Sequence, residues 1–442
     1  MVKEVTLTLF FLGVFNFLIY RFKVFQFRSF KPLVSVFLFN LKFLTGIFIW
    51  FVYTFYYPDT KNNDVHKFYR DALVLRDMAG KQPTSFLMMM VGAENDTPMQ
   101  DAEAKMNNWH RNFDEAPFNE NHTIIKLNAL LLFVSLKTYF VHILFFCFLS
   151  LIGWILLTNA IFSFVDIRNA ILTIPVMLLP SVLFWTSGVM KEPLLVLGLG
   201  LLLHGTLLLD SKLQNPNASL LSCLVSIAAG ALVILFTKFF VLACFIPAVI
   251  AYLLFPRKEG QQFIWIKYGV VVVLLLAVAL NMQRIMPRIN LPQMLVNKQT
   301  HSIKEAEYFK AGSRVELTPI EPTPLSILKS IPIGIGNTLI RPFVSEAKNV
   351  MMLASAIENF IIISFLIMFI SSTNWKKPDN LNLFLFLLTF SFAYFALVGM
   401  CTPVLGNLVR YKTPLLPLFM FAFVIKMSPR AVADNFDFLL RR

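Results

Sequence analysis

The chain has 442 residues, of which 57% are hydrophobic and only 14% are charged. This composition excludes a water-soluble globular protein, and the lack of alternating ten-residue segments excludes a membrane barrel, so we predict an all-α, polytopic helical membrane protein. A net charge of +14 would suggest nucleic-acid binding in a soluble protein, but many basic residues here flank apolar segments, so no nucleic-acid partner is expected.

About eleven apolar segments have a length suited to crossing a bilayer, which takes roughly 17–25 residues. We therefore expect a single membrane domain, residues 1–442, with two polar insertions between spans at 57–138 and 282–350. The predicted spans are residues 5–20, 33–56, 139–158, 170–186, 194–209, 219–236, 239–255, 263–281, 351–371, 381–400 and 413–426.

Basic residues decide the expected orientation, because positive charges are enriched in cytoplasmic loops. With residue 1 outside, every strongly basic short loop falls inside. This pattern predicts a multi-pass protein of the cytoplasmic (inner) membrane, with the N-terminus outside, the C-terminus in the cytoplasm and both insertions periplasmic. The inside residues would be Arg21, Lys23, Arg28, Lys31, Arg168, Lys212, Arg257, Lys258, Lys376, Lys377, Arg430, Arg441 and Arg442.

The first insertion is expected to begin with an amphipathic helix over residues 65–79, lying at the membrane interface. Asn63 or Asp64 can cap this helix, since a side-chain oxygen satisfies its free N–H groups. Residues 81–121 are polar and are expected to be irregular, and residues 124–137 form a second amphipathic stretch.

The second insertion ends with the apolar stretch Leu325 to Ile340, which contains Pro332, Gly334 and Gly336. Glycine and proline at this density are expected to prevent a continuous helix. We therefore expect this stretch to dip into the membrane or lie along its surface.

Asp59 and Asp64 are candidate catalytic residues just outside the second predicted span. A carboxylate there can bind a divalent cation, Mg or Mn, that bridges to a phosphate, or it can take a proton from an acceptor hydroxyl. The alternative is structural: Asp59 ends one helix and Asp64 caps the next.

Lys191, Glu192 and Lys238 occupy short outer turns, where positive charge runs against the topological trend. Lys191 is a candidate phosphate ligand, and Glu192 and Lys238 are candidates to line the substrate. Alternatively, Lys191 and Glu192 form a surface pair of little energetic value, and Lys238 reaches to lipid headgroups.

Arg341 can clamp a phosphate with its forked donors, or it can form a structural pair with Glu346 along the start of a helix. Glu358 lies inside the ninth predicted span, where a charge is costly. It must therefore face the bundle interior or a cavity, as a structural or a substrate-lining group.

Arg410, Tyr411 and Lys412 stand at the mouth of the last predicted span, after a flexible Gly406-Asn407 approach. Two cations that flank a tyrosine on the outer side have no role in topology. They make a credible site for the phosphates of a substrate.

Two stretches together resemble the GT-C superfamily, whose members are integral-membrane glycosyltransferases that use polyprenyl-phosphate sugars. They are Tyr57-Pro58-Asp59 through Asp64 and Tyr69, and Gly406-Asn407-Leu408-Val409-Arg410-Tyr411-Lys412-Thr413-Pro414. The stretches from Pro180-Ser181 to Lys191-Glu192 and from Thr338 to Phe343 are also similar to bacterial envelope-polysaccharide proteins, including O-antigen polymerases.

The resemblance implies that Asp59 or Asp64 is the general base or metal ligand for the acceptor. Arg341, Arg410 and Lys412 would hold the lipid phosphate while its bond to the sugar breaks. The implied partners are a polyprenyl-linked saccharide, membrane lipids and a glycan or lipid acceptor, and Tyr69 would line the substrate.

One alternative within this class is a polymerase that joins lipid-diphosphate-linked repeat units. A transporter or flippase of a lipid-linked saccharide is an alternative of another class. Transport fits less well, because the charged residues lie at the ends of spans and the sequence shows no repeats. If the chain is an enzyme, we predict that one shared outer cavity is lined by Asp59 or Asp64, Lys191, Arg341 and Arg410.

Overall fold

The computed structural model describes residues 2–57, 63–93, 96–110, 119–164, 167–214, 219–255, 263–286, 288, 290–373, 375 and 380–427. Within these residues the fold is helical and contains no β-strand, which confirms the predicted all-α class. Candidate residue Asp59 lies outside them, as do several residues used to orient the chain: Arg257, Lys258, Lys376, Lys377, Arg430, Arg441 and Arg442.

The helices up to the middle of the chain are α1 (Val2–Arg21), α2 (Pro32–Phe51), α3 (Asp64–Lys81), α4 (Pro83–Val91), α5 (Thr97–Lys105), α6 (Glu120–Ser135), α7 (Tyr139–Ile161), α8 (Thr173–Met177), α9 (Pro180–Trp185) and α10 (Lys191–Gln214). They are followed by α11 (Leu220–Leu254), α12 (Ile264–Leu280), α13 (Met282–Ile285), α14 (Leu291–Tyr308), α15 (Pro324–Ile340), α16 (Val350–Ser372), α17 (Leu381–Cys401), α18 (Leu405–Lys412) and α19 (Leu416–Val424). A π-helical turn, Val52–Tyr56, extends α2.

Seven helices in the described part of the chain are long and apolar enough to cross a membrane, so the chain is a multi-pass membrane protein. They are α1, α2 with its extension, α7, α10, α11, α16 and α17. Eight of the eleven predicted spans fall within these seven helices. A ninth, residues 263–281, is the shorter apolar helix α12, of 17 residues.

The remaining two predicted spans are not continuous helices, which corrects the expectation for residues 170–186 and 413–426. The first consists of a 3-10 helix, Ile167–Leu172, followed by α8 and α9. Pro180 starts α9 and keeps Leu179 before it out of the helical conformation. In the second, only the nine residues of α19 are α-helical.

Helix α11 reverses direction at Lys238, whose φ of −157° and ψ of 79° are not helical. Cys223 lies against Gly205 of α10, and the Tyr252 hydroxyl donates a hydrogen bond of 2.7 Å to Asp210 near the end of α10. A straight helix would hold residues 223 and 252 roughly 44 Å apart, whereas their partners on α10 are separated by about 8 Å. Lys238 therefore lies at the end of the bundle where α10 begins, which we call the Lys191 end.

The first insertion begins as predicted but packs differently. The Asn63 side chain accepts a hydrogen bond from the His66 N–H at 3.1 Å and caps α3. The apolar face of α3 is buried against α6 rather than laid on a membrane surface, because Phe68 and Leu75 are fully buried. The expected irregular stretch 81–121 contains α4 and α5, so that expectation is wrong.

The second insertion also departs from expectation, since residues 324–340 form the continuous helix α15. Gly334 permits a close crossing of α15 with α17, because a methyl group at this position would lie 2.5 Å from the Ala396 oxygen. The Thr338 hydroxyl donates a hydrogen bond of 2.7 Å to the Phe395 oxygen across the same interface. Small residues at helix crossings in membranes favour packing of this kind.

We expect Gly399→Ala to destabilise the fold and Gly336→Ala not to. A methyl group on Gly399 would collide with the backbone of Gly334, whereas one on Gly336 would meet nothing within 4 Å. Overpacking costs about 1–3 kcal/mol, while alanine gains up to about 1 kcal/mol in helix propensity. The thermal midpoint in detergent should fall for Gly399→Ala only. Equal midpoints for the two variants would contradict the crossing.

Candidate functional site

Charged side chains from five helices meet at the Lys191 end of the bundle. They come from the starts of α3, α6 and α10, the reversal in α11 and the last turn of α18. The members, which we call the ionic cluster, are Asp64, Lys67, Glu120, Lys191, Glu192, Lys238 and Arg410.

Arg410 is the centre of the ionic cluster. Its Nε and Nη2 donate to the two carboxylate oxygens of Glu192 at 2.7 and 2.8 Å, and its Nη1 donates to Asp64. Glu192 is completely buried and Arg410 is nearly so. A two-pronged arginine–carboxylate pair of this kind is strong and directional. Three of the five guanidinium donors are thus engaged with carboxylates.

Two of the three lysines in the ionic cluster come from α10 and α11. Lys191 Nζ donates to Glu120 Oε2 at 3.1 Å and to Asn121 Oδ1 at 2.9 Å, so it does not form the local surface pair with Glu192 considered as an alternative. Lys238 Nζ is 3.5 Å from Glu192 Oε1 and 3.8 Å from the centre of the Tyr411 ring. Although buried, it has no hydrogen-bond partner among the described residues.

Neighbouring charges control the protonation of Asp64. Burial would raise the pKa of the Asp64 carboxyl, but the Lys67 and Arg410 cations outweigh burial and hold this pKa well below its usual range. Likewise, burial would lower the pKa of the Arg410 guanidinium, but Glu192 and Asp64 raise it. Asp64 is therefore ionised and is a weak base while both cations stay in contact with it.

Helix α18, which carries Arg410, is fixed at both ends. At its start, the Leu405 N–H donates to the Ser313 oxygen at 3.0 Å. Near its end, the Tyr394 hydroxyl donates to the Tyr411 oxygen at 2.8 Å. Gly406 and Asn407 lie inside this helix, so the expected flexible approach to Arg410 is wrong.

Lys412 and Glu358 lie in a separate polar network that ties α18 to α16 and α9. Lys412 Nζ donates to Asn359 Oδ1, and burial lowers the pKa of Lys412 to about 8. Glu358 accepts hydrogen bonds from the Ser181 N–H at 2.9 Å and the Ser181 hydroxyl at 2.7 Å. Glu358 faces the bundle interior, as a charge within a span must.

Arg341 and Tyr69 do not join the ionic cluster. Arg341 Nε is 3.5 Å from Glu346 Oε1, which is the structural pair named as the alternative. The Tyr69 hydroxyl donates to the Lys137 oxygen at 2.7 Å, and its ring packs against Tyr139. Of the residues predicted to share an outer cavity, the structure brings together Asp64, Lys191 and Arg410.

Sequence reasoning missed Lys67, Glu120 and Trp185. Lys67 pairs with Asp64 one helical turn away, a spacing visible in the sequence. Glu120 carries the weaker signal of an acidic residue in the first turn of a helix. The ring centre of Trp185 lies 5.4 Å from the Arg410 guanidinium carbon. No sequence pattern predicts this contact, because it depends on how α9 and α18 pack together.

The carboxylates of the ionic cluster do not fit a divalent cation as they stand. Asp64, Glu120 and Glu192 each face a lysine or an arginine. In the part of the chain that the structure describes, no three histidine, cysteine or acidic side chains converge to hold a metal ion. Asp64 offers a single carboxylate, and two cations already occupy it.

Among the described residues the ionic cluster contains four cations and three carboxylates, so these members together carry one excess positive charge when all are ionised. Such a cluster can bind an anion of low charge with Lys238 and the remaining donors of Arg410.

The chain matches no protein-family model, no curated protein and no solved structure.

Proposed function

We propose that the chain is a membrane glycosyltransferase that moves a sugar from a polyprenyl-phosphate-linked donor to an acceptor at the outer face of the cytoplasmic membrane. The observation that carries this proposal is the ionic cluster, which is mostly buried, has one excess positive charge over its described members and leaves the Lys238 ammonium without a hydrogen bond to any described residue. The GT-C resemblance adds Asp64 and Arg410 as the residues in contact with acceptor and phosphate.

The charge of the ionic cluster favours a monophosphate-linked donor. A sugar joined through one phosphate to a polyprenol carries a single negative charge, which balances the single excess positive charge. A diphosphate-linked saccharide, as used by a repeat-unit polymerase, carries two. Exposed Phe51 and Phe55 at the same end of α2 offer an apolar surface for the polyprenyl chain.

Binding of the sugar donor and activation of Asp64 as a base can occur in the same step. A phosphate oxygen that replaces Asp64 at Arg410 Nη1 removes one of the two cations that contact this carboxylate, while Lys67 remains in contact with it. The pKa of Asp64 then rises, because burial raises it and a compensating charge is lost. Asp64 becomes a competent base at the moment when the donor is in place.

The transfer step then follows. Asp64 takes the proton of the acceptor hydroxyl, whose oxygen attacks the anomeric carbon of the sugar. The bond between that carbon and the phosphate oxygen breaks, and the polyprenyl phosphate leaves with the bonding electrons. Arg410 and Lys238 stabilise the negative charge that builds on this phosphate, which is typically the largest effect such a site supplies.

The test is to give membranes containing the protein a polyprenyl phosphate with a radiolabelled sugar. Transfer of label to an acceptor supports the proposal, and we expect Asp64→Asn to abolish it without weakening donor binding. Asp77→Asn is the matched control, because Asp77 is an exposed residue of the same helix, paired with Lys137. Label that only crosses the bilayer would identify a flippase, and elongation of diphosphate-linked saccharide alone would identify a polymerase.

The proposal also requires the Lys191 end to face outward. Arg28 lies at the opposite end, beside Asn159 at the far end of α7. Cysteine introduced at exposed Lys81 should react with an impermeant thiol reagent from outside, and cysteine at exposed Val24 should not. The four native cysteines are buried and give little background. The reverse labelling pattern would overturn the outward placement.

A further inference from the structure

Lys42 is a buried cation that lies deep in the bundle and outside the ionic cluster. It is near the middle of α2 and only 3% exposed. Its Nζ donates to Thr186 Oγ1 at 2.7 Å, and no carboxylate of the described residues pairs with it. An isolated ammonium at the centre of a membrane helix is costly and calls for a partner.

Thr186 belongs to an irregular segment, residues 186–190, that joins α9 to α10. This segment is non-helical and completely buried. Within a membrane bundle, non-helical backbone is tolerated where it is enclosed by protein or lines a polar cavity. Interrupted helices of this type frame ion sites in membrane proteins.

Ser187, the next residue, contributes a second unsatisfied group. Its hydroxyl is fully buried and has no hydrogen-bond partner in the described part of the chain. Its backbone oxygen accepts a hydrogen bond from Cys147 and lies against Gly46, one turn beyond Lys42 on the same face of α2. Lys42 and Ser187 therefore both lie at the contact between α2 and the irregular segment.

The groups left unsatisfied at this contact can each donate a hydrogen bond. The Thr186 hydroxyl donates a hydrogen bond of 2.6 Å to the Val182 oxygen, so toward Lys42 it can only act as an acceptor. That leaves two N–H groups on the Lys42 ammonium and the hydroxyl of Ser187. These donors, beside one positive charge, suit an anion, and the Lys42 charge repels a metal cation.

We propose that Lys42, Thr186 and Ser187 form a binding site for a small monovalent anion, with chloride as its simplest occupant. The anion neutralises Lys42 and accepts the hydrogen bonds that the protein leaves unmade. It also holds the irregular segment between Trp185 and Lys191 in place. This site does not depend on the proposed glycosyltransferase activity.

The experiment is a chloride titration of the full-length protein in detergent, with gluconate replacing chloride at constant ionic strength. The thermal midpoint of the wild-type protein should rise with chloride and saturate, because a ligand that binds only the folded state stabilises it. Lys42→Met should lose this dependence. Ser187→Ala should weaken the apparent affinity for chloride by roughly tenfold, the effect of losing one hydrogen bond to a charged group.

Lys31→Met is the control, since Lys31 is exposed at the start of the same helix. It should keep the full chloride dependence. A wild-type midpoint that does not respond to chloride would overturn the site, and so would an unchanged response in Ser187→Ala. Because Ser187→Ala removes only a hydroxyl, it keeps the test decisive if Lys42→Met fails to fold.

Discussion

Arg410→Lys is expected to lower glycosyl transfer by roughly 10²–10³, the usual loss when one donor to a developing charge is removed. A lysine keeps the positive charge but cannot hold Glu192 with two parallel hydrogen bonds and contact Asp64 at the same time. The readouts are turnover of the polyprenyl-phosphate donor and the thermal midpoint, measured side by side.

Arg341→Lys is the matched control for this variant. The sequence resemblance assigns Arg341 the same phosphate-binding role, whereas the structure pairs it with Glu346. If the ionic cluster is the site, Arg341→Lys should keep near wild-type turnover. Wild-type turnover in a well-folded Arg410→Ala variant would remove the main reason to regard the chain as an enzyme.

Glu192→Gln should destabilise the protein by about 3–5 kcal/mol, the typical cost of breaking a buried ion pair from one side. Glu192 is fully buried and balances both Arg410 and Lys238, so its neutralisation leaves two cations with too little compensation. Stability can be measured by denaturant titration in mixed micelles. Replacing Lys238 by Met in the same chain should restore part of the loss, because the two changes share an interaction.

Glu346→Gln is the control, because Glu346 pairs with Arg341 while about a quarter of each side chain is exposed. A partly solvated pair contributes about 0–1 kcal/mol, so this change should have little effect. If Glu192→Gln proves as mild as Glu346→Gln, the Arg410–Glu192 pair does not hold the ends of α10 and α18 together.

The helical class and most of the membrane segments follow from sequence, because both depend on local composition. An apolar stretch of sufficient length must form a helix to satisfy its own backbone in lipid, whatever surrounds it. The Asn63 cap is equally local, since a side-chain oxygen needs only the N–H groups that follow it. The sequence also indicated the break in α11 at Lys238, because this residue is a single charge within a long apolar run.

The partners of Arg410 were decided by tertiary structure alone. Arg410 meets Glu192 and Asp64 across 218 and 346 residues of sequence, and nothing local indicates either pairing. The sequence placed these charges at one end of the helices and offered Glu346 as a local partner of Arg341, but only the tertiary structure decided that Arg341 keeps this partner and stays outside the ionic cluster. Helix α15 also needed its neighbour, because Gly334 weakens an isolated helix yet permits the close contact with α17 that stabilises it.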